Sequence, residues 1–212
     1  LRMGTKFSTR IWVSVVGIAS IFFGSKGYAD TVISVADFGL KPDTRENAVA
    51  YVQKAIEACR GKEPVTLVFP EGRYDFWPQY AHEKNYYETN TYDVFPKRLA
   101  MLFEGLHNIT VDGNGSQFVM HDRIQPITVE NCDGVTLKNF SIDWDIPLTA
   151  QARVTKVGSD FFEIEINVLE SPYIIEDGKL VFVGEGWKSA LGSMIEFESD
   201  THFVVPGTGD FC

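Results

Sequence analysis

The chain has 212 residues, 44% hydrophobic and 23% charged, with 19 basic residues against 29 acidic ones and a formal net charge of −10. That length suffices for one or two domains, and so acidic a surface repels a phosphate backbone, which excludes nucleic acid as an expected partner. Cys59, Cys132 and Cys212 match no zinc spacing, and their odd number argues against a disulfide framework. Buried small hydrophobes are the expected role, with a Cys59–Cys132 bridge as the alternative.

Residues 1–29 have the layout of a secretory signal peptide. Arg2, Lys6 and Arg10 lead, Ile11 to Gly24 is apolar and uncharged, and Gly27-Tyr28-Ala29 offers small residues around a cleavage point. A membrane anchor is the alternative, but a spanning helix needs about 20 apolar residues. Export to the periplasm, cell surface or medium is expected, with no membrane span after cleavage. Nineteen basic residues less the four in this stretch leave fifteen against 29 acidic ones, a net of −14 for the mature part.

A short strand, Val32–Val35, comes next, and then one helix from about Thr44 to Cys59. Asp43 or Thr44 can cap it, and Ala48, Val49, Val52, Ala55, Ile56 and Cys59 form one apolar stripe. Gly61 is placed to end it. Val65–Phe69 and Arg73–Phe76 are β-rich runs divided by Pro70-Glu71-Gly72. From Trp77 to Arg98 the chain is rich in Tyr, Asn, Glu and His without a clear period, which predicts a long structured loop.

Short β runs then recur at Leu99–Phe103, Ile109–Val111, Gln117–Met120, Ile127–Val129, Val135–Leu137 and Phe140–Ile142, punctuated by Gly, Asn and Asp. Asn108-Ile109-Thr110-Val111 returns 26 residues later as Gly134-Val135-Thr136-Leu137. Short strands with polar corners at such a period predict a stacked solenoid, in which each turn buries its neighbour's apolar face. A sandwich of antiparallel hairpins is the alternative. From Gln151 the pattern changes: Ala152–Val157 and Phe161–Ile166 alternate as a β-hairpin, and Lys179–Val183 and Met194–Phe197 are further β runs. The expected organisation is residues 1–29 as signal, 30–150 as cap and first solenoid turns, and 151–212 as an incomplete antiparallel β insertion, with the solenoid truncated at Cys212.

Three passages carry a resemblance. Val35-Ala36-Asp37-Phe38-Gly39 leading through Asp43, followed by Leu67-Val68-Phe69-Pro70-Glu71-Gly72-Arg73-Tyr74, resembles the cap and first turn of the pectin-lyase-like superfamily. The run from Phe69 to Pro78, and Asn139-Phe140-Ser141-Ile142-Asp143-Trp144-Asp145-Ile146-Pro147-Leu148, resemble glycoside hydrolase family 110, the exo-acting α-1,3-galactosidases. The resemblance implies an all-β fold: a right-handed parallel β-helix with an N-terminal capping helix and an inserted antiparallel, barrel-like β domain. It further implies an inverting hydrolysis of terminal α-1,3-linked galactose from blood-group-B-type or linear glycans, without cofactor. The family's catalytic aspartates are expected beyond Cys212, so no catalytic residue is assigned. Another β-helix polysaccharide-cleaving enzyme, of polygalacturonase or lyase type, and a non-catalytic glycan-binding β-helix are the alternatives.

Among the residues present, Asp143 and Asp145 are the candidate pair. Two positions apart on a strand, they share a face at roughly 6.6 Å, within the span an inverting glycosidase needs between its two carboxyl groups. Ile142, Trp144 and Ile146 would then point inward. Sugar-hydroxyl binding by Asp143 and Asp145 is the functional reading; solvated acids capping the turn before Pro147 is the plainer one. Trp77 and Tyr86, in the aromatic stretch that also holds Tyr80, His82, Tyr87 and Tyr92, are candidate sugar platforms, against a purely packing role. Arg73 beside Asp75 is expected to form a local ion pair. His107, His121 and His202 lack metal-ligand spacing, and no metal is expected.

Overall fold

The structure, a computed structural model, describes residues 31–86, 96–192 and 194–209. The proposed signal segment, Tyr87, Tyr92 and Cys212 lie outside them. The first elements in chain order are β1 (Thr31–Ser34), a 3-10 turn (Val35–Phe38), α1 (Val49–Cys59), β2 (Val65–Val68), β3 (Arg73–Phe76), β4 (His82–Asn85) and β5 (Pro96–Glu104). They are followed by β6 (His107–Met120), β7 (Gln125–Glu130) and β8 (Asp133–Trp144). The last are β9 (Ala152–Val157), β10 (Phe162–Ile166), β11 (Tyr173–Glu176), β12 (Lys179–Gly184) and β13 (Trp187–Ala190). The described chain is mostly strand with little helix.

Up to β8 the pairing is parallel apart from β4, which runs antiparallel to β5. β1, β2, the first half of β6 and the first half of β8 stack in that order, aligning Ile33, Leu67, Val111 and Leu137. β3 and the second halves of β6 and β8 form a second parallel ladder, aligning Tyr74, Phe118 and Ile142. β5 and β7 form a third. The chain therefore returns to the same ladders on successive passes, and the 26-residue repeat is realised as Ile109 against Val135, Thr110 against Thr136 and Val111 against Leu137. Antiparallel hairpin pairing is absent from these three ladders.

The core follows from this register. Leu67, Ile109, Val111, Phe69, Tyr74, Phe76, Phe103, Phe118 and Met120 are fully or almost fully buried, each inward side chain covered by its equivalent on the next pass. Helix α1 lays Val49, Val52, Ala55, Ile56 and Cys59 over this core, against β1, β2 and β5. Cys59 and Cys132 are free thiols; burial pushes Cys59 up to about 11, so it sits in the packing as a hydrophobe.

Four expectations need correction. The helix begins at Val49, with no side-chain cap at Ala48, because the preceding residues are drawn to β3 instead. Asp43 accepts the Arg73 N–H at 2.9 Å, and Ala48 donates to the Asp75 carbonyl at 2.8 Å. The stretch from Trp77 to Arg98 is not one loop, since β4 and the start of β5 pair within it. The runs at Ile109–Val111 and Gln117–Met120 belong to one strand with a register break between Asp112 and Ser116, as do those at Val135–Leu137 and Phe140–Ile142 in β8. Met194–Phe197 is not a strand; Met194 and Phe197 make isolated bridges to Gly209 and Val204.

Corners need left-handed backbone. Asn108, Asn131 and Asn139 all adopt positive φ, where asparagine is better tolerated than most residues. Gly134 (φ +70) also lies against the preceding pass, where a Cβ would stand 2.6 Å from Asn108 Oδ1. Gly134→Ala is expected to lower stability by about 1–2 kcal/mol, seen as an earlier midpoint in urea unfolding; an unchanged midpoint would contradict the close stacking of these corners. After β8 the pairing turns antiparallel, β9 with β10 and β11 with β12 and β13. No helix among the described residues is long and apolar enough to cross a membrane.

Candidate substrate-binding site

The second ladder sets outward side chains of distant sequence side by side. Asp75 lies across from Val119, and Val119 across from Asp143. Past the strand ends the pairing continues: His121 N donates to the Phe76 carbonyl at 2.9 Å, and Asp145 N to the Met120 carbonyl at 3.0 Å. Trp77, His121 and Asp145 thereby follow one another from pass to pass. The Trp77 ring stacks on His121 with centroids 3.8 Å apart and planes within 12°.

A charged network occupies this corner. Asp75 is fully buried, and its Oδ1 accepts from Arg73 Nη2 at 2.6 Å and faces His121 Nε2 at 2.8 Å. Arg73 Nη2 also reaches Asp145 Oδ1 at 2.7 Å, and Arg45 Nη1 stands 3.7 Å from the same oxygen. The other His121 ring nitrogen, Nδ1, lies 2.6 Å from Glu185 Oε2, on the turn between β12 and β13. Burial pushes the Asp75 carboxyl up, but hydrogen bonds and charge from Arg73 and His121 outweigh it and hold the group below the usual carboxylate range. The hydrogen bond to Asp75 in turn raises Arg73, which stays charged throughout.

Because the folded Asp75 carboxyl is depressed, its contribution to stability is present above the unfolded value, about 3.9, and is lost as pH falls through the folded one. Acid unfolding followed from pH 5 to pH 2 is expected to show a steeper loss for the wild type than for Asp75→Asn; parallel curves would contradict the assignment.

Ligand atoms of Asp75, His121 and Asp145 lie within 4.8 Å of one another, a spacing that could hold a cation. Arg73 already supplies positive charge between the two carboxylates, so a metal ion would have to displace a guanidinium bonded to both. The donor set fits an ion-pair network better than a metal centre.

Of the four candidate residues, the structure brings Trp77 and Asp145 to this corner. Asp143 and Asp145 are both exposed, yet they do not act as a pair: Asp143 Oδ1 accepts the Trp144 N–H at 2.8 Å, while Asp145 is bonded to Arg73. Trp144 is half-buried and packs against the core, as expected, and its indole donates to the Asp122 carbonyl at 3.1 Å. Ile142 is 37% exposed because β8 has only one parallel neighbour among the described residues. Tyr86 lies elsewhere, beside the β4–β5–β7 sheet, where its hydroxyl bonds Glu130 and Lys84 sits over its ring. Lys84 bonds Glu104 at 2.8 Å and Glu130 at 2.6 Å. The Arg73–Asp75 ion pair is as expected. His121, Glu185 and Arg45 are the members that sequence reasoning missed. The signal for His121 is register across passes, since His121 and Asp75 are 46 residues apart; Glu185 and Arg45, outside the parallel ladders, carry no such signal.

Residues 150–212, which contain β9 to β13, match the family described as GLAA-B beta-barrel domain I. Over 182 residues the chain is 60% identical to alpha-1,3-galactosidase B of Bacteroides thetaiotaomicron, covering 86% of this chain and 30% of that protein. By sequence, the chain is similar to proteins named α-1,3-galactosidase. Alpha-1,3-galactosidase A of Shewanella woodyi is 36% identical over 79% of this chain and 28% of its own length. An alpha-1,3-galactosidase B of Phocaeicola vulgatus is 35% identical over 94% of this chain and 32% of its own length. The chain thus spans about a third or less of the curated galactosidases it matches.

Proposed function

We propose that this chain is part of an exported exo-α-1,3-galactosidase that removes terminal α-1,3-linked galactose from glycans, with inversion and without a cofactor. The observation that carries the reading is 60% identity over 182 residues to a protein named for that activity. On this reading the parallel ladders are the first turns of a right-handed parallel β-helix capped by α1, residues 151–212 belong to an inserted barrel, and residues 1–29 direct export. Parallel pairing of β2, β6 and β8 supports the β-helix.

Within the chain, Asp145 and Trp77 are the groups proposed to meet the sugar. Asp145 is a half-exposed carboxylate held by two arginines, suited to accept from galactose hydroxyls. Asp143 offers a second acceptor on the same face. Tyr86, already bonded to Glu130, is assigned to packing. The complete gene product is expected to release galactose from a terminal α-1,3-galactoside, with the β-anomer appearing first by proton NMR. No galactose from any α-1,3-linked substrate would overturn the proposal, and α-anomer appearing first would overturn inversion.

A further inference from the structure

The turn between β12 and β13 meets the parallel stack at three points. Glu185 faces His121, as described. The Gly186 backbone (φ +73) lies so close to Asp122 that a Cβ there would stand 2.4 Å from its Oδ2. The Arg123 guanidinium lies 6.0 Å from the centre of the Trp187 ring, within cation–π range. His121 is almost fully buried between two carboxylates, Asp75 at 2.8 Å and Glu185 at 2.6 Å. Each ring nitrogen faces one of these carboxylates, Nε2 toward Asp75 and Nδ1 toward Glu185. The ring therefore bridges two pieces of structure. One is the β12–β13 hairpin. The other is Asp75, which grips Arg73, which grips Asp145.

We infer that His121 is a positioning residue that docks the β12–β13 hairpin through Glu185 and, through Asp75 and Arg73, aims the Asp145 carboxylate at a sugar hydroxyl. The sugar half rests on the proposed role of Asp145; the docking half stands without it. The galactoside is thus met by a stack whose charged corner is braced by the antiparallel unit, so that unit contributes to sugar binding without touching the sugar.

Two variants separate the halves. His121→Gln places an N–H donor near the Nε2 position and keeps the bond to Asp75; His121→Asn places one near Nδ1 and keeps the bond to Glu185. Each is measured in the whole chain by amide hydrogen exchange across Lys179–Ala190 and by NMR titration with α-1,3-galactobiose. Bonds to charged groups of this kind imply effects of about ten-fold or more. His121→Gln is expected to lower hairpin protection about ten-fold with affinity within about two-fold, and His121→Asn to do the reverse. Asp145→Asn weakens binding while leaving hairpin exchange unchanged. If both histidine variants move both readouts together, or neither moves either, the inference is wrong. A wild-type chain that binds no galactobiose overturns the glycan reading and the sugar half with it; hairpin exchange in the Gln and Asn variants then decides the docking half alone.

Discussion

Asp75→Ala is expected to destabilise the chain by about 3–5 kcal/mol, the usual cost of removing one partner from a buried ion pair. The carboxylate is fully buried, accepts three contacts from Arg73 and one from His121, and lies on a strand whose backbone also anchors Ala48. Alanine would remove the acceptor that Arg73 and His121 share. Arg73 keeps Asp145 as a partner, but that carboxylate is 37% exposed and compensates less. Urea unfolding measures the loss. Asp75→Asn should cost less, because its amide oxygen still accepts one of the donors. A deficit under about 1 kcal/mol for the alanine variant would mean that the charges are hydrated, contrary to the buried network described.

Phe118→Ala should be equally damaging, again by about 3–5 kcal/mol, for a reason of packing. Phe118 stands in the inward column between Tyr74 and Ile142. Its ring lies 4.7 Å from Phe69, 5.7 Å from Phe76 and 4.8 Å from Phe140 by centroid, so three passes meet on it. Neighbours held by parallel ladders on both sides cannot collapse into the vacated space. Phe118→Leu, which fills more of that space than alanine does, should cost distinctly less. Equal unfolding midpoints for the two variants would show that the column relaxes freely.

Much of the fold was legible because it is written locally. β-branched runs ended by Asn and Gly mark strands and corners, and the echo of Asn108–Val111 in Gly134–Leu137 announces stacking before any coordinates. The alternation in Ala152–Val157 and Phe162–Ile166 likewise gives their antiparallel pairing. Features set by neighbours in space were not legible. The apolar stripe runs back to Ala48, but Asp43 and Asn47 are committed to β3 and its extension, which delays the helix. His121 carries no local mark of its role. Its meaning depends on the number of residues in each pass, which decides that it lands beside Asp75 and under Glu185. Asp145 was found from spacing to Asp143, yet the partner that orients it is Arg73, 72 residues earlier.

The charged corner depends most on stacked passes bringing Asp75 and His121 together, and a double-mutant cycle on that pair reads this directly. With Asp75→Ala, His121→Leu and the double variant measured by urea unfolding, contact at the observed distance predicts a coupling of at least about 1 kcal/mol. Losses that add to within about 0.5 kcal/mol would place the two side chains apart and contradict both the register and the site built on it.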